Sequence, residues 1–193
     1  MHEIAIFVED FGHQKIIGSL VERLAQESNV EIQLNWRSAR HGHGMVKQEL
    51  KKYLQDLQRQ GDRLPELIIV ATDANCKGRN ERIRELEESD APAPMIFAVP
   101  DPHVERWLLL DGAAFKKVFE RGCDAPDLKC DRNRYKQKLI NEISNAGITP
   151  SLGGIEFAKD IVREIDIERA KRADLSIKHF INEIKSKFQE WRL

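Results

Sequence analysis

The sequence predicts an α/β fold: a mostly parallel four-stranded sheet with helices on both faces, followed by a helical C-terminal extension. Two observations predict it. Over the first hundred residues, short apolar runs of strand length alternate with helix-length segments to give βαβαβαβ. Short connections between continuously apolar strands imply a parallel sheet covered on both sides. Beyond Pro100 the strand signals stop and the remaining periodic segments have helical spacing. The expected division is an α/β core over 1–110 and a helical extension over 111–193 packed on it.

The elements follow in order. Ile4 to Val8 is a continuous apolar run that ends on Glu9 and Asp10. Gly12 leads into a helix with Ile16, Ile17, Leu20, Val21 and Leu24 on one stripe. Val30, Ile32, Leu34 and Trp36 alternate with polar residues, the pattern of a half-covered strand at or near an edge. Val46, Leu50, Tyr53, Leu54 and Leu57 form a second helical stripe, closed by Gly61 and Pro65. Leu67 to Ala71 is a third strand, followed by the charged helix "CKGRNERIRELEES", and Met95 to Val99 is a fourth, introduced by "APAP". "HVERWLLL", "AAFKKVFE", "YKQKLINEISNAG", "GGIEFAKDIVREI" and "DLSIKHFINEIKSKFQEWRL" read as helices, and Arg121 to Arg134 reads as a loop.

Composition narrows the class. A chain of 193 residues with 41% hydrophobic and 33% charged residues has enough apolar matter for a soluble core. The net charge of -1 says nothing for or against nucleic acid, so only local placement of charge can. No run of about 18 apolar residues exists to span a membrane, and "MHEIAIFVED" lacks the basic start of a secretory signal. Three cysteines without C-x-x-C spacing are expected to stay reduced, without structural zinc, in a cytoplasmic protein.

Both core strands that precede helices finish on acids: Glu9 and Asp10 after the first, Asp73 after the third. In an open parallel sheet, ligands gather beyond the carboxyl ends of the strands where strand order reverses. Carboxylates brought together there repel unless a cation neutralises them or one stays protonated. Magnesium takes hard oxygen ligands of this kind, with water and substrate phosphate completing its shell. Asn75 adds a neutral oxygen donor on the Asp73 loop, and Asp101 and Glu105 follow the fourth strand. Capping is the competing explanation for each residue alone, because Asp and Asn favour helix N-caps and Glu105 suits the first turn of a helix.

"FVEDFGHQKIIGSL" followed by "IIVATDANCKGRN" resembles the TOPRIM domain, a Rossmann-like metal-binding fold of topoisomerases, primases and OLD-type nucleases. Its pattern has a glutamate after the first strand, matched by Glu9, and Asp-x-Asp after the third, matched by Asp73 with Asn75 in the second place. "PDPHVERWLLLD" is similar to a segment of small stand-alone TOPRIM-like proteins of bacterial defence and mobile-element loci. The resemblance covers roughly the first 110 residues. It implies metal-dependent cleavage of phosphodiesters in DNA or RNA, with Mg²⁺ or Mn²⁺ as cofactor. Glu9 and Asp73 would be catalytic, and Glu9, Asp73, Asn75, Asp101 and Glu105 would be ligands. Asn75 removes one negative charge from the pattern. An ABC-type ATPase is the partner such defence proteins imply.

Basic residues near these acids are candidates for phosphate contact. Arg37, Arg40, His41 and His43 alternate with Gly42 and Gly44 before the second helix, and Lys77 and Arg79 follow Asp73. A solvated loop and a wet helix face are the alternatives. Two rival functions remain: a receiver-like phospho-accepting domain and a catalytically inactive adaptor. The receiver places its acid pair and acceptor much closer than Asp10 and Asp73, which are 63 positions apart (73 minus 10).

Overall fold

A computed structural model describes residues 1–38, 43–60, 64–87, 90–131 and 133–192. Four strands, β1 (His2–Val8), β2 (Ile32–Ser38), β3 (Leu67–Ala71) and β4 (Met95–Ala98), form one sheet in the order β2-β1-β3-β4. Every pairing is parallel, with Val8 opposite Ser38 on one side and Ala71 on the other, and Ala71 opposite Ala98. The predicted fold class is therefore present, and β2 lies at an edge as its alternation required.

Successive strand residues point to opposite faces, which divides the apolar matter in two. Ile4, Ile6, Val8, Leu67 and Ile69 face a large cluster with α1 (Phe11–Glu27). Ala5, Phe7, Ile68 and Val70 face a smaller one with Val46, Leu50 and Leu54 of α2 (His43–Gln60) and Leu86 of α3 (Arg79–Leu86).

The helices after β4 close over the larger face. They are α4 (Glu105–Leu108), α5 (Gly112–Phe119), α6 (Arg134–Asn145), α7 (Ala158–Glu164), α8 (Ile167–Ala173) and α9 (Leu175–Glu190). Trp107 of α4 lies 5.8 Å from the Phe180 ring of α9 and donates its indole N–H to Ser176 Oγ at 3.0 Å. The helical half thus supplies the second wall of the same core as β1, β3 and α1.

Local details depart from the expectations for physical reasons. The predicted helix after Cys76 splits into a 3-10 turn at Asn75–Lys77 and α3, because Gly78 breaks it at φ 81°. "HVERWLLL" keeps only one helical turn. The seven-residue α8 was too short to show periodicity, although Asp166 caps it through the Arg169 N–H. The predicted loop has neither helix nor strand over 121–131. The expectation of three reduced cysteines is corrected: Cys76 and Cys130, 54 positions apart, form a disulfide, leaving Cys123 free. Their spacing carried no signal, because only the folding of 121–131 back onto the Asp73 loop makes them neighbours. Among the described residues no helix is long and apolar enough to cross a membrane.

Candidate active site

β1 and β3 are neighbours, and strand order reverses between them. The carboxyl ends of these two strands are therefore the place where a parallel sheet leaves room for a ligand. Glu9 directly follows β1 and Asp73 lies two residues past β3. The ladder continues briefly beyond the strands, with the Glu9 N–H on Ala71 O at 3.2 Å and the Thr72 N–H on Ala98 O at 3.2 Å. Glu9 Oε2 accepts the Thr72 hydroxyl at 2.5 Å and the Asp73 N–H at 3.4 Å. Among the described residues its other oxygen has no hydrogen-bond partner.

Asp73 sits at the centre. Its Oδ1 accepts from His13 Nε2 at 3.1 Å and from the Val104 N–H at 2.8 Å, while Oδ2 contacts His103 Nδ1 at 2.9 Å. Arg82 donates Nε to the Asp73 carbonyl at 3.0 Å, fixing the backbone that carries the carboxylate. His13 is 1% exposed and spans two acids, with Nδ1 on Asp10 Oδ1 at 2.8 Å. Asp10 also caps α1 through the His13 N–H at 2.9 Å. The capping role and the charge-pairing role thus fall on one side chain.

The charges follow from this packing. Burial raises the Asp73 pKa, but the His13 and His103 imidazoles outweigh it and hold the carboxyl below its usual range. Burial disfavours a charged His13, yet Asp73 and Asp10 win and hold its pKa well above the ordinary imidazole value. His103 is raised by its hydrogen bond to Asp73 against partial burial. Partial burial raises Asp10, and the His13 ring and N–H overcome it to bring it down to about 2. Glu105 differs: burial and then the Asp73 charge both push its pKa up. One carboxyl of the group is therefore destabilised as an anion, the arrangement expected where acids are crowded.

The other expected residues are distributed around this centre. Asn75 adopts a left-handed φ of 51°, gives its N–H to Pro102 O at 3.0 Å and points its amide at Asp73 O. Asp101 lines an adjacent cavity of about 660 Å³ with Lys77, Arg79, Arg106, Leu128 and Ser176, and its backbone N–H donates to Ser176 Oγ at 3.2 Å. Lys77 pairs with Glu85 and Arg79 with Glu183. Arg37 lies 4.2 Å above the Tyr53 ring, on the face covered by α2. Arg40 and His41 lie outside the described residues, as does the side chain of His43, which opens α2.

Residues 8–185 match the family described as "Domain of unknown function (DUF4276)". The chain belongs to the DUF4276 family. The matched stretch runs from the end of β1 into α9, so the family unit takes in Glu9, Asp73, Glu105 and both halves of the chain. No curated protein and no solved structure matches this DUF4276 chain.

Sequence reasoning missed His13 and His103. His13 carried a readable signal: it lies on the buried stripe of α1, three residues after its capping Asp10. An imidazole on an apolar stripe beside a cap invites a search for a second carboxylate. Among the described residues no three His, Cys, Asp or Glu side chains already surround a point as a metal site. The donors nonetheless suit a hard divalent cation. Among the described residues one Glu9 oxygen has no hydrogen-bond partner, burial and the Asp73 charge disfavour an anionic Glu105, and His103 reaches Asp73 from a partly exposed position.

Proposed function

We propose that the chain is a divalent-metal-dependent enzyme acting on phosphodiester bonds of nucleic acid, with Glu9, Asp73 and Glu105 as its acidic set. The observation that carries this reading is the meeting of Glu9 and Asp73 at the reversal of strand order, with Glu105 near enough for its ionisation to be opposed by Asp73. Glu9, Asp73 and Glu105 would hold Mg²⁺ or Mn²⁺, with Asn75 beside them. The ion would supply charge stabilisation at phosphate oxygens and a water activated at neutral pH.

The chain's own residues do the positioning. Thr72 fixes one Glu9 oxygen, leaving the other to take a proton from water or to face a cation. Asp10 and His13 hold Asp73 in one orientation, and Arg82 holds its backbone. Lys77 and Arg79, which line the adjacent cavity, would contact the phosphates of a bound strand. The resemblance to TOPRIM proteins in the first 110 residues supports the same chemistry, and the ABC-type ATPase partner belongs to this proposal.

The test is cleavage of plasmid and of single-stranded DNA and RNA with Mg²⁺ or Mn²⁺. Glu9→Gln and Asp73→Asn should each lower the rate by roughly 100-fold or more while the fold, read by circular dichroism, persists. Absence of metal-dependent cleavage in the wild type sinks the reading. One observation favours a second reading, the inactive adaptor. Three donors already satisfy the Asp73 carboxylate without a metal. Acid-labile phosphate on Asp73 after treatment with a small phosphodonor would instead mark the receiver.

A further inference from the structure

The segment 121–131 has no helix or strand, yet it forms a wall. Leu128 lines the 660 Å³ cavity with Arg106 and Lys77, and Pro126 is buried with its carbonyl 3.5 Å from Arg106 Nη2. Beyond that point the segment is tied mostly to its own continuation. Tyr135 Oη donates to Lys129 O at 2.7 Å and accepts the Lys129 N–H at 2.8 Å, and Arg134 pairs with Asp127 at 2.6 Å. Its covalent tie to the Asp73 loop is the Cys76–Cys130 disulfide.

The two ends of that bond are held differently. Cys76 lies in the 3-10 turn whose backbone is anchored by Ala74 N–H on Pro100 O at 2.8 Å and Asn75 N–H on Pro102 O at 3.0 Å. Cys130 lies in the irregular segment. Both residues are exposed, so a soluble thiol can reach the bond. Cys123 is shielded by partial burial, which pushes its thiol up to about 12, so it supplies little thiolate to compete.

We propose that Cys76 and Cys130 form a thiol–disulfide exchange site that latches the 126–130 segment to the Asp73 loop and so sets access to the cavity behind it. A dithiol reductant opens it. One reductant thiolate attacks a protein sulfur, the second thiol resolves the mixed disulfide, and the products are two protein thiols and the cyclic oxidised reductant. Opening frees the Cys130 side as far as the Tyr135 anchor. Asp73 stays in place because His13, His103, Val104 and Arg82 hold it independently of the latch. The proposal does not rest on the reaction assigned above.

The experiment uses the full chain, purified without reductant and divided. One half is treated with dithiothreitol without denaturant. Both halves are alkylated with iodoacetamide and mapped by peptide mass spectrometry, and amide exchange is followed in parallel. The untreated protein should give a joined Cys76–Cys130 peptide pair, and the reduced protein should be alkylated at both positions. Exchange over 124–131 should then rise roughly 10-fold, with little change over 67–73. Cys130→Ser should exchange like the reduced wild type whether or not reductant is present. Free thiols at both positions even after mild oxidation would overturn the latch. So would a bond that survives native reduction, or unchanged exchange over 124–131 once it is broken; the last arm needs no variant to fold.

Discussion

At the scale of single residues, His13 does the most for the centre. It is buried, and it stands between two carboxylates that would otherwise face each other across low-dielectric protein. Removing one partner of such a group leaves a charge without compensation, which costs more than the pair contributes when intact. His13→Asn should therefore lower stability by about 3 kcal/mol in urea denaturation. Asp10→Asn should cost less, about 1 kcal/mol, because Asn caps a helix as well as Asp and only the charge is lost. Equal losses for the two variants would show that the ring's contact with Asp10, rather than its bridge to Asp73, is what His13 serves.

At the scale of elements, capping aspartates organise the helical half. Asp111, Asp166 and Asp174 accept N–H groups at the starts of α5, α8 and α9. Asp111 goes further: it is 1% exposed, and besides Ala113 and Ala114 it accepts the Asp166 N–H at 2.9 Å and Arg169 Nη1 at 2.6 Å. It thereby ties the start of α5 to the start of α8. Burial raises its pKa, but the Asp166 N–H, Arg169 and the Ala114 N–H prevail and hold it below the usual carboxylate range. Its stabilisation is therefore fully present above its unfolded value of about 3.9 and is lost as pH falls through the lower folded value. Asp111→Ala should cost about 3 kcal/mol at neutral pH, because a cap and a buried donor lose their partner together. The difference from wild type should shrink as pH falls below the unfolded value in denaturant titrations; a constant difference would remove the carboxylate from the account.

At the scale of the molecule, the helices after residue 110 share a core with the sheet. One apolar cluster joins Ile4, Ile6 and Leu67 of the sheet to Phe115, Leu139, Ile161 and Phe180 of the later helices. A chain ending at 110 would expose that face of the sheet to water. Residues 1–110 alone should therefore fail to give dispersed amide signals in a proton–nitrogen correlation spectrum and should bind a hydrophobic dye. A well-dispersed spectrum would make the helical half an ornament.

The strands were legible because each is a continuous apolar run, and the parallel order followed from the helix-length spacers between them. The long helices were legible from their stripes. Glu9 and Asp73 stood out as candidates because acids that follow apolar runs are conspicuous, and Glu105 because it precedes a Trp- and Leu-rich helix. Asp101 looked equivalent in one dimension, and only the fold shows that it lines a cavity with Arg106 and Ser176. α8 was invisible because seven residues span too few turns to display a period.

By itself the sequence determined the alternation of strands and helices, and with it a sheet whose carboxyl edge carries Glu9 and Asp73. These are properties of neighbouring residues, and local periodicity records them. Only the tertiary structure decided that His13, His103 and Arg82 converge on Asp73 and that Cys76 meets Cys130 across 54 positions. Such contacts depend on how helices pack over a sheet, and that packing is set by the summed burial of the whole core rather than by any short stretch of chain.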